Sequence, residues 1–543
     1  MPKVRPSSRP GEVLCALLLA LLTLVAATGA APANGADDSG RPVVDTDHGP
    51  VRGRAHGTYA TFDGIPYAAP PTGPLRWRLP VPAAPWKGVR DAGAPSGSCA
   101  QVPVFGGDGK ATGSEDCLYV NVTTPTGRAP HGGRPVMVWI HGGGFTVGSG
   151  SDYRPEPLAV RGDAMVVTVN YRLGIFGFFG HPELGAPDFG IADQQAALRW
   201  VRANAARFGG DPGRVTVFGE SAGALSTCAH LTSPTAAGLF HRAALQSGAC
   251  MTAFPRGSMT PTLPAYEPFV PRERVEAAGT AAARGLGCDR PGDALACLRG
   301  LDTGRLLTAD LMQAFSGVAY GNALLPERPD RALEGGRFHR VPVLQGSNLD
   351  EMRLFLGFTL KDFPIRDERE YRARLALSYG EAAGAVEALY PAAKYPTPAL
   401  AWAASLSDAS FTCGALRADR ALAGRVPTYG YRFDDRNAPH IMPGLPVVEG
   451  FPYGAAHGFE LPYLFTMPTD PPLSAAQREL SATMLGYWTR FARTGDPNSA
   501  GAPAWPRYDA SERALSLSPG AGGIKPVDAA AEHHCDFWAA HRV

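Results

Sequence analysis

The segment Val215-Thr216-Val217-Phe218-Gly219-Glu220-Ser221-Ala222-Gly223-Ala224 sets a serine between two glycines, each two residues away. A serine nucleophile at the end of a strand needs a tight strand-to-helix turn. Glycines at those positions remove the Cβ atoms that would obstruct close backbone approach. In a chain with 65 glycines the pentad alone is unspecific. Its context sharpens it, because an apolar strand enters and a helix-compatible stretch, Ala222 to Leu231, leaves. A second string, Trp139-Ile140-His141-Gly142-Gly143-Gly144-Phe145, reads alone as a turn after a strand. Acyl transfer, however, needs backbone N–H donors aimed at a developing oxyanion, and side chains would block that approach. Paired with an elbow serine, Gly143, Gly144 and the Ala222 N–H after the nucleophile are expected to make a three-donor hole.

A serine on such an elbow is followed in chain order by its acid and then its histidine. Asp350 and Glu351 both follow the predicted strand Val341 to Leu344 and the loop Gln345-Gly346-Ser347-Asn348, where a triad acid belongs. Eight histidines lie beyond Ser221. His457 stands in the small-residue loop Gly454-Ala455-Ala456-His457-Gly458, and His440, after Ala438-Pro439, is its rival. The pattern favours His457 and leaves His440 open. Glu220 is either a carboxylate that tunes the field at the nucleophile or a buried, hydrogen-bonded one. Such chemistry requires neither metal nor cofactor.

The elements that must position these residues are short apolar runs at Val136 to Ile140, Met165 to Tyr171, Val215 to Gly219, Ala243 to Gln246 and Val341 to Leu344. Near-continuous apolar runs suit parallel strands covered on both faces. Ala197, Val201, Ala205 and Phe208 repeat at helical spacing from Asp193 to Phe208, closed by Gly209-Gly210-Asp211-Pro212. Leu480, Met484, Tyr487 or Trp488 and Phe491 form another stripe, closed by Gly495-Asp496-Pro497-Asn498. Strands alternating with helices predict a doubly wound α/β sheet. Length suggests three or four domains. With no repeat, low-complexity tract or linker, one large domain over residues 37–543 is the better reading. The Pro-rich stretches 66–85 and 254–271 carry Tyr67, Trp77, Tyr266 and Phe269, so they are expected to be packed loops.

Composition narrows the partners. With 51 basic and 50 acidic side chains the chain has no electrostatic footprint for nucleic acid or an anionic membrane. A charged start (Lys3, Arg5, Arg9), an apolar run from Val13 to Ala27 and small residues after it describe a secretory signal over residues 1–36, cut after Ala30 or Ala36. Later segments are too short to span a bilayer, so no membrane insertion is expected after cleavage. Removal takes three basic and one acidic side chain and leaves a charge of −1. It also removes Cys15 and leaves eight cysteines, an even number that favours disulfides in an oxidising compartment. Spacing alone permits 105 pairings among eight cysteines.

Ordered strings along the chain resemble the type-B carboxylesterases, the cholinesterase-like branch of the α/β hydrolases. They include Phe62-Asp63-Gly64-Ile65-Pro66-Tyr67-Ala68, Pro74-Leu75-Arg76-Trp77, Ser114-Glu115-Asp116-Cys117-Leu118-Tyr119 and Val169-Asn170-Tyr171-Arg172-Leu173-Gly174. They continue through Gly209-Gly210-Asp211-Pro212, the Ser221 pentad and Trp488 to Asn498. The resemblance implies an α/β-hydrolase fold, a mostly parallel central sheet with helices on both faces and long insertions. It implies Glu351 as triad acid, His457 as base and disulfides Cys99–Cys117, Cys288–Cys297 and Cys413–Cys535. Cys228 and Cys250 fall outside that pattern, as an extra bridge or as two buried thiols. Met352 departs from the glycine many relatives carry after the acid. Residues 101 to 116 lack the tryptophan with which cholinesterases hold a quaternary ammonium, which argues against choline esters. Only 17 residues separate Cys99 from Cys117, too short for the long flap of the family's lipases. The implied activity is hydrolysis of small-molecule esters of short to medium chain or aryl type by a secreted enzyme. A lipase, an amide or carbamate hydrolase and a non-catalytic binding module are the alternatives, and no oligomeric state is implied.

Overall fold

The computed structural model describes residues 35–36, 40–103, 109–184, 188–442, 444–469 and 471–541. Apart from Gly35 and Ala36, the expected leader lies outside the described residues. An 11-stranded sheet carries the architecture. Its strands are β1 (Arg54–Ala55), β2 (Tyr59–Pro66), β3 (Tyr119–Pro125), β4 (Arg134–Ile140), β5 (Met165–Val169), β6 (Gly210–Glu220), β7 (Arg242–Gln246), β8 (Val343–Asn348), β9 (Thr428–Phe433), β10 (Ala514–Leu517) and β11 (Lys525–Val527). Across the sheet they run β11-β10-β9-β8-β7-β6-β4-β5-β3-β2-β1. Neighbours from β10 to β5 are parallel, and the pairings at both edges are antiparallel.

Period-two alternation assigns each strand's residues to two cores. Val136, Val138, Val215, Val217, Ala243 and Leu245 pack on one face, with Leu198, Val201, Ala224 and Ala229 from helices α1 (Phe189–Asn204) and α2 (Ala222–Thr232). Met137, Trp139, Phe218, Ala244 and Leu344 face the other side. There they meet Leu480, Met484, Trp488 and Phe491 of α5 (Ala475–Thr494). Between α2 and α5 in the chain lie α3 (Met352–Thr359) and α4 (Cys413–Ala423). Helix α5 has the capping box Ser474/Gln477 at its start, and Gly495, at φ +80°, stops it.

Several element boundaries differ from the pattern reading. Strand β8 starts at Val343, after Pro342, and continues through Gln345-Gly346-Ser347-Asn348, which polarity had marked as loop. Six-residue pairing with β9 holds it. Its buried polar side chains find partners: Gln345 donates to Asp419, and Asn348 to Glu460. Helix α1 starts at Phe189 and not at Asp193, and residues 205–208 tighten into a 3₁₀ turn before Gly209 at φ +81°. Buried Trp77, Tyr67 and Phe269 show the Pro-rich stretches to be packed.

All four cysteine pairs are bridged: Cys99–Cys117, Cys228–Cys250, Cys288–Cys297 and Cys413–Cys535. Cys228 and Cys250 are a bridge and not two thiols, and they tie α2 to the segment leaving β7.

Candidate active site

The parallel register brings the carboxyl ends of four strands to one edge of the sheet: Ile140 opposite Gly219, Glu220 opposite Gln246, and Gln246 opposite Gly346. That edge is where open α/β sheets present ligand sites. Ser221 sits there between β6 and α2 at φ 55°, ψ −121°, a conformation that non-glycine residues rarely adopt. Holding it costs on the order of 1–3 kcal/mol. The elbow is secured by the Ser221 N–H donating to the Gln246 carbonyl at 2.9 Å. Both flanking glycines are sterically obligatory. A Cβ on Gly219 would stand 2.5 Å from the Gly223 backbone, and one on Gly223 would stand 1.9 Å from the Ile140 carbonyl oxygen.

The glycine run leaves β4 beside this elbow. Gly143 and Gly144 have φ of +97° and +60°, and both are exposed within an otherwise buried segment. Gly143 turns the chain by accepting from the Thr146 and Val147 N–H groups. Among the described residues, no acceptor takes the N–H of Gly143, Gly144 or Ala222. His141 beneath the loop stacks on Tyr171 with ring centroids 4.5 Å apart, and burial pushes its imidazole down to about 4. It is therefore neutral at pH 7 and orders the loop without adding charge. Gln101, inside the first disulfide loop, accepts from the Gly148 N–H and donates to its carbonyl.

Glu351 and His457 meet across the rim. Glu351 is wholly buried, and its Oε2 lies 2.6 Å from His457 Nδ1, while its Oε1 accepts from the Asn348 N–H at 2.7 Å. That carboxylate fixes the Nδ1–H tautomer and turns Nε2 toward the elbow. Nε2 lies 3.1 Å from Glu220 Oε1, outside hydrogen-bond geometry, and no hydrogen bond joins it to the Ser221 hydroxyl. His440 is elsewhere. It is exposed, packs on Tyr453 and Phe459, and has no acidic partner among the described residues. Asp350 does not touch the imidazole. Its carboxylate pairs with Arg353 and Arg436.

Burial pulls the His457 imidazole down, but Glu220, Glu351 with its hydrogen bond, and Glu460 outweigh that and raise it to about 9. Glu220 is raised to about 8 by burial, aided by the charges of Glu460 and Glu351. A base held between carboxylates stabilises imidazolium, the form that must appear after a proton is taken from a hydroxyl.

The sequence assigned no role at the site to several neighbours. Glu460, three residues past His457, accepts from Asn348 at 2.6 Å and from Gln246 at 3.2 Å. Trp488 donates to Gln246, which gives that motif tryptophan a place in the same network. Phe355 and Phe411 flank the imidazole with ring centroids at 4.9 and 5.0 Å. The segment containing Asn348 was visible, but its juxtaposition with Glu460 across 112 residues was not. Among the described residues no group of His, Cys, Asp and Glu is arranged to hold a metal ion, and no helix is long and apolar enough to cross a membrane.

The profile of the Carboxylesterase family matches residues 40–538. The chain is 34% identical over 517 residues to Carboxylesterase 3 of Pongo abelii, covering 88% of each chain. It is 35% identical over 522 residues to Fumonisin B1 esterase of Sphingopyxis macrogoltabida, covering 90% of this chain and 88% of that one. Among solved structures, a PNB esterase superposes with a TM-score of 0.74 at 30% identity, covering 91% of this chain and 99% of the other. A thermophilic PNB esterase gives 0.73 at 31% identity.

Proposed function

The chain belongs to the carboxylesterase family, and on that footing we propose that it cleaves esters through an acyl-enzyme on Ser221, with His457 as base and Glu351 as its orienting acid. It is a carboxylic-ester hydrolase with the α/β-hydrolase fold of its structural neighbours. The observation that carries the triad is the 2.6 Å bond between Glu351 and His457 Nδ1 at the elbow of a strained serine.

His457 Nε2 takes the Ser221 proton as Oγ attacks the ester carbonyl, and Glu351 stabilises the imidazolium. The free N–H groups of Gly143, Gly144 and Ala222 receive the oxyanion. His457 then protonates the leaving alcohol, and the same base activates the water that releases the acid. Phe355 and Phe411 beside the imidazole supply an apolar wall, which supports acyl or aryl groups of modest size. The short Cys99–Cys117 loop supports dissolved esters over emulsified fat. Four disulfides, together with the N-terminal leader, support function outside the cytoplasm.

A p-nitrophenyl ester series of increasing acyl length, run with and without an emulsion, tests this reading. Turnover should peak at short to medium chains in solution. A rise above the solubility limit of the substrate would indicate a lipase, and amide turnover matching that of esters would indicate an amidase.

A further inference from the structure

Asp350 shares the strand-end position of the triad acid but does not bond the base, and it is buried with no part in the reaction. Its bonds explain the placement. The Asp350 N–H donates to the Ala455 carbonyl at 3.0 Å, and the Ala455 N–H donates back to Asp350 Oδ2 at 3.1 Å. Ala455 stands two residues before His457. Arg353 lies 2.7 Å from Asp350 Oδ1 and donates to the Pro452 carbonyl, so it holds the same loop from its other end. Arg436 binds the carboxylate from outside at 3.0 Å. Gly454, at φ +62°, lets the loop come this close, since a Cβ there would stand 2.4 Å from Asp350 Oδ2.

We propose that Asp350 is a positioning residue that fixes the His457 loop against the Glu351 loop, so that adjacent carboxylates divide the work between bonding the imidazole and aiming it. The inference rests on His457 being the base. Besides the Asp350 pair, the two loops share the His457 N–H to Glu351 carbonyl bond at 3.3 Å and the Asn348 amide to Ala456 carbonyl bond at 2.8 Å. Asp350 bonds the loop two residues ahead of the histidine through both its main chain and its carboxylate, and that carboxylate is itself held by two guanidiniums. A residue acting this way leaves substrate binding intact and slows the chemical step. Misplacing a reacting group by about 1 Å costs about 100-fold.

The test is kcat and KM for a soluble p-nitrophenyl ester in Asp350→Ala and Asp350→Asn, with melting temperature checked for each. In Asp350→Ala, kcat should fall about tenfold or more, with KM within about twofold of the parent. Asparagine keeps an oxygen for the Ala455 N–H, and Asp350→Asn should recover most of that loss. Unchanged kcat in folded Asp350→Ala, a loss carried in KM, or a loss that asparagine does not relieve overturns the proposal. Should Asp350→Ala not fold, Gly454→Ala strikes the same contact, and unchanged kcat there overturns it too. His457→Ala run alongside separates the two failures: activity surviving in that variant refutes the triad and the clamp with it, whereas loss of activity there beside an unimpaired Asp350→Ala refutes the clamp alone.

Discussion

Glu351 and His457, 106 residues apart in the chain, are joined by a 2.6 Å bond in which both side chains are buried. With its other oxygen held by the Asn348 N–H, Glu351 cannot turn away from the ring. Glu351→Gln keeps the shape but loses the charge and reverses the tautomer preference at Nδ1. Steady-state kinetics should show kcat lowered by about 10⁴-fold, as in other triads whose acid is amidated. His440→Ala should retain parent turnover.

Gly143 turns at φ +97°, and an added Cβ would stand 2.2 Å from the Val147 carbonyl oxygen. Gly143→Ala therefore displaces the N–H groups of the proposed oxyanion hole. A kcat loss of about 100-fold or more is expected, with KM little altered. At Gly144 a Cβ meets nothing nearer than 3.9 Å, so Gly144→Ala should lose less. Equal losses in the two variants would contradict the steric argument.

The proposed base, His457, must be deprotonated to act, and it is raised to about 9. The kcat/KM profile should therefore climb on the alkaline side of neutrality. Above about pH 8, where Glu220 itself ionises, its charge helps keep the proton on the imidazole. Glu220→Gln removes one negative charge, lowers the His457 value and moves the rising limb to lower pH. A limb that stays in place or moves upward contradicts the assignment of Glu220 as a charge facing the base.

The disulfides should differ in worth. Loop closure over 22 residues for Cys228–Cys250 and 122 for Cys413–Cys535 corresponds to about 3 and about 5 kcal/mol. Paired cysteine-to-alanine variants, compared by urea midpoint, should show the larger loss at Cys413 and Cys535. Reversal of that order would place the stabilisation in the native packing around Cys228 and not in the unfolded chain.

The sheet and the elbow were legible because their causes are local. Apolar runs buried on both faces read directly, and the glycines around Ser221 are demanded by backbone contacts of 2.5 and 1.9 Å. What escaped depends on distant partners. Gln345 to Asn348 looked like a loop until β9 and Glu460 supplied hydrogen bonds for their polar groups. Asp350 and Glu351 were equivalent by position, the resemblance alone favoured Glu351, and the return of residues 454–457 to the sheet edge supplies the physical difference between them. The Cys228–Cys250 bridge was open for the same reason, since α2 and the segment after β7 meet only in the folded chain.

The central claim is a covalent acyl-enzyme on Ser221. The enzyme is mixed with p-nitrophenyl acetate, quenched in acid during the first turnover, digested and examined by mass spectrometry. The account predicts one acetyl group on the peptide containing Ser221, absent in Ser221→Ala. Acetylation at another residue, or full turnover in Ser221→Ala, would contradict it.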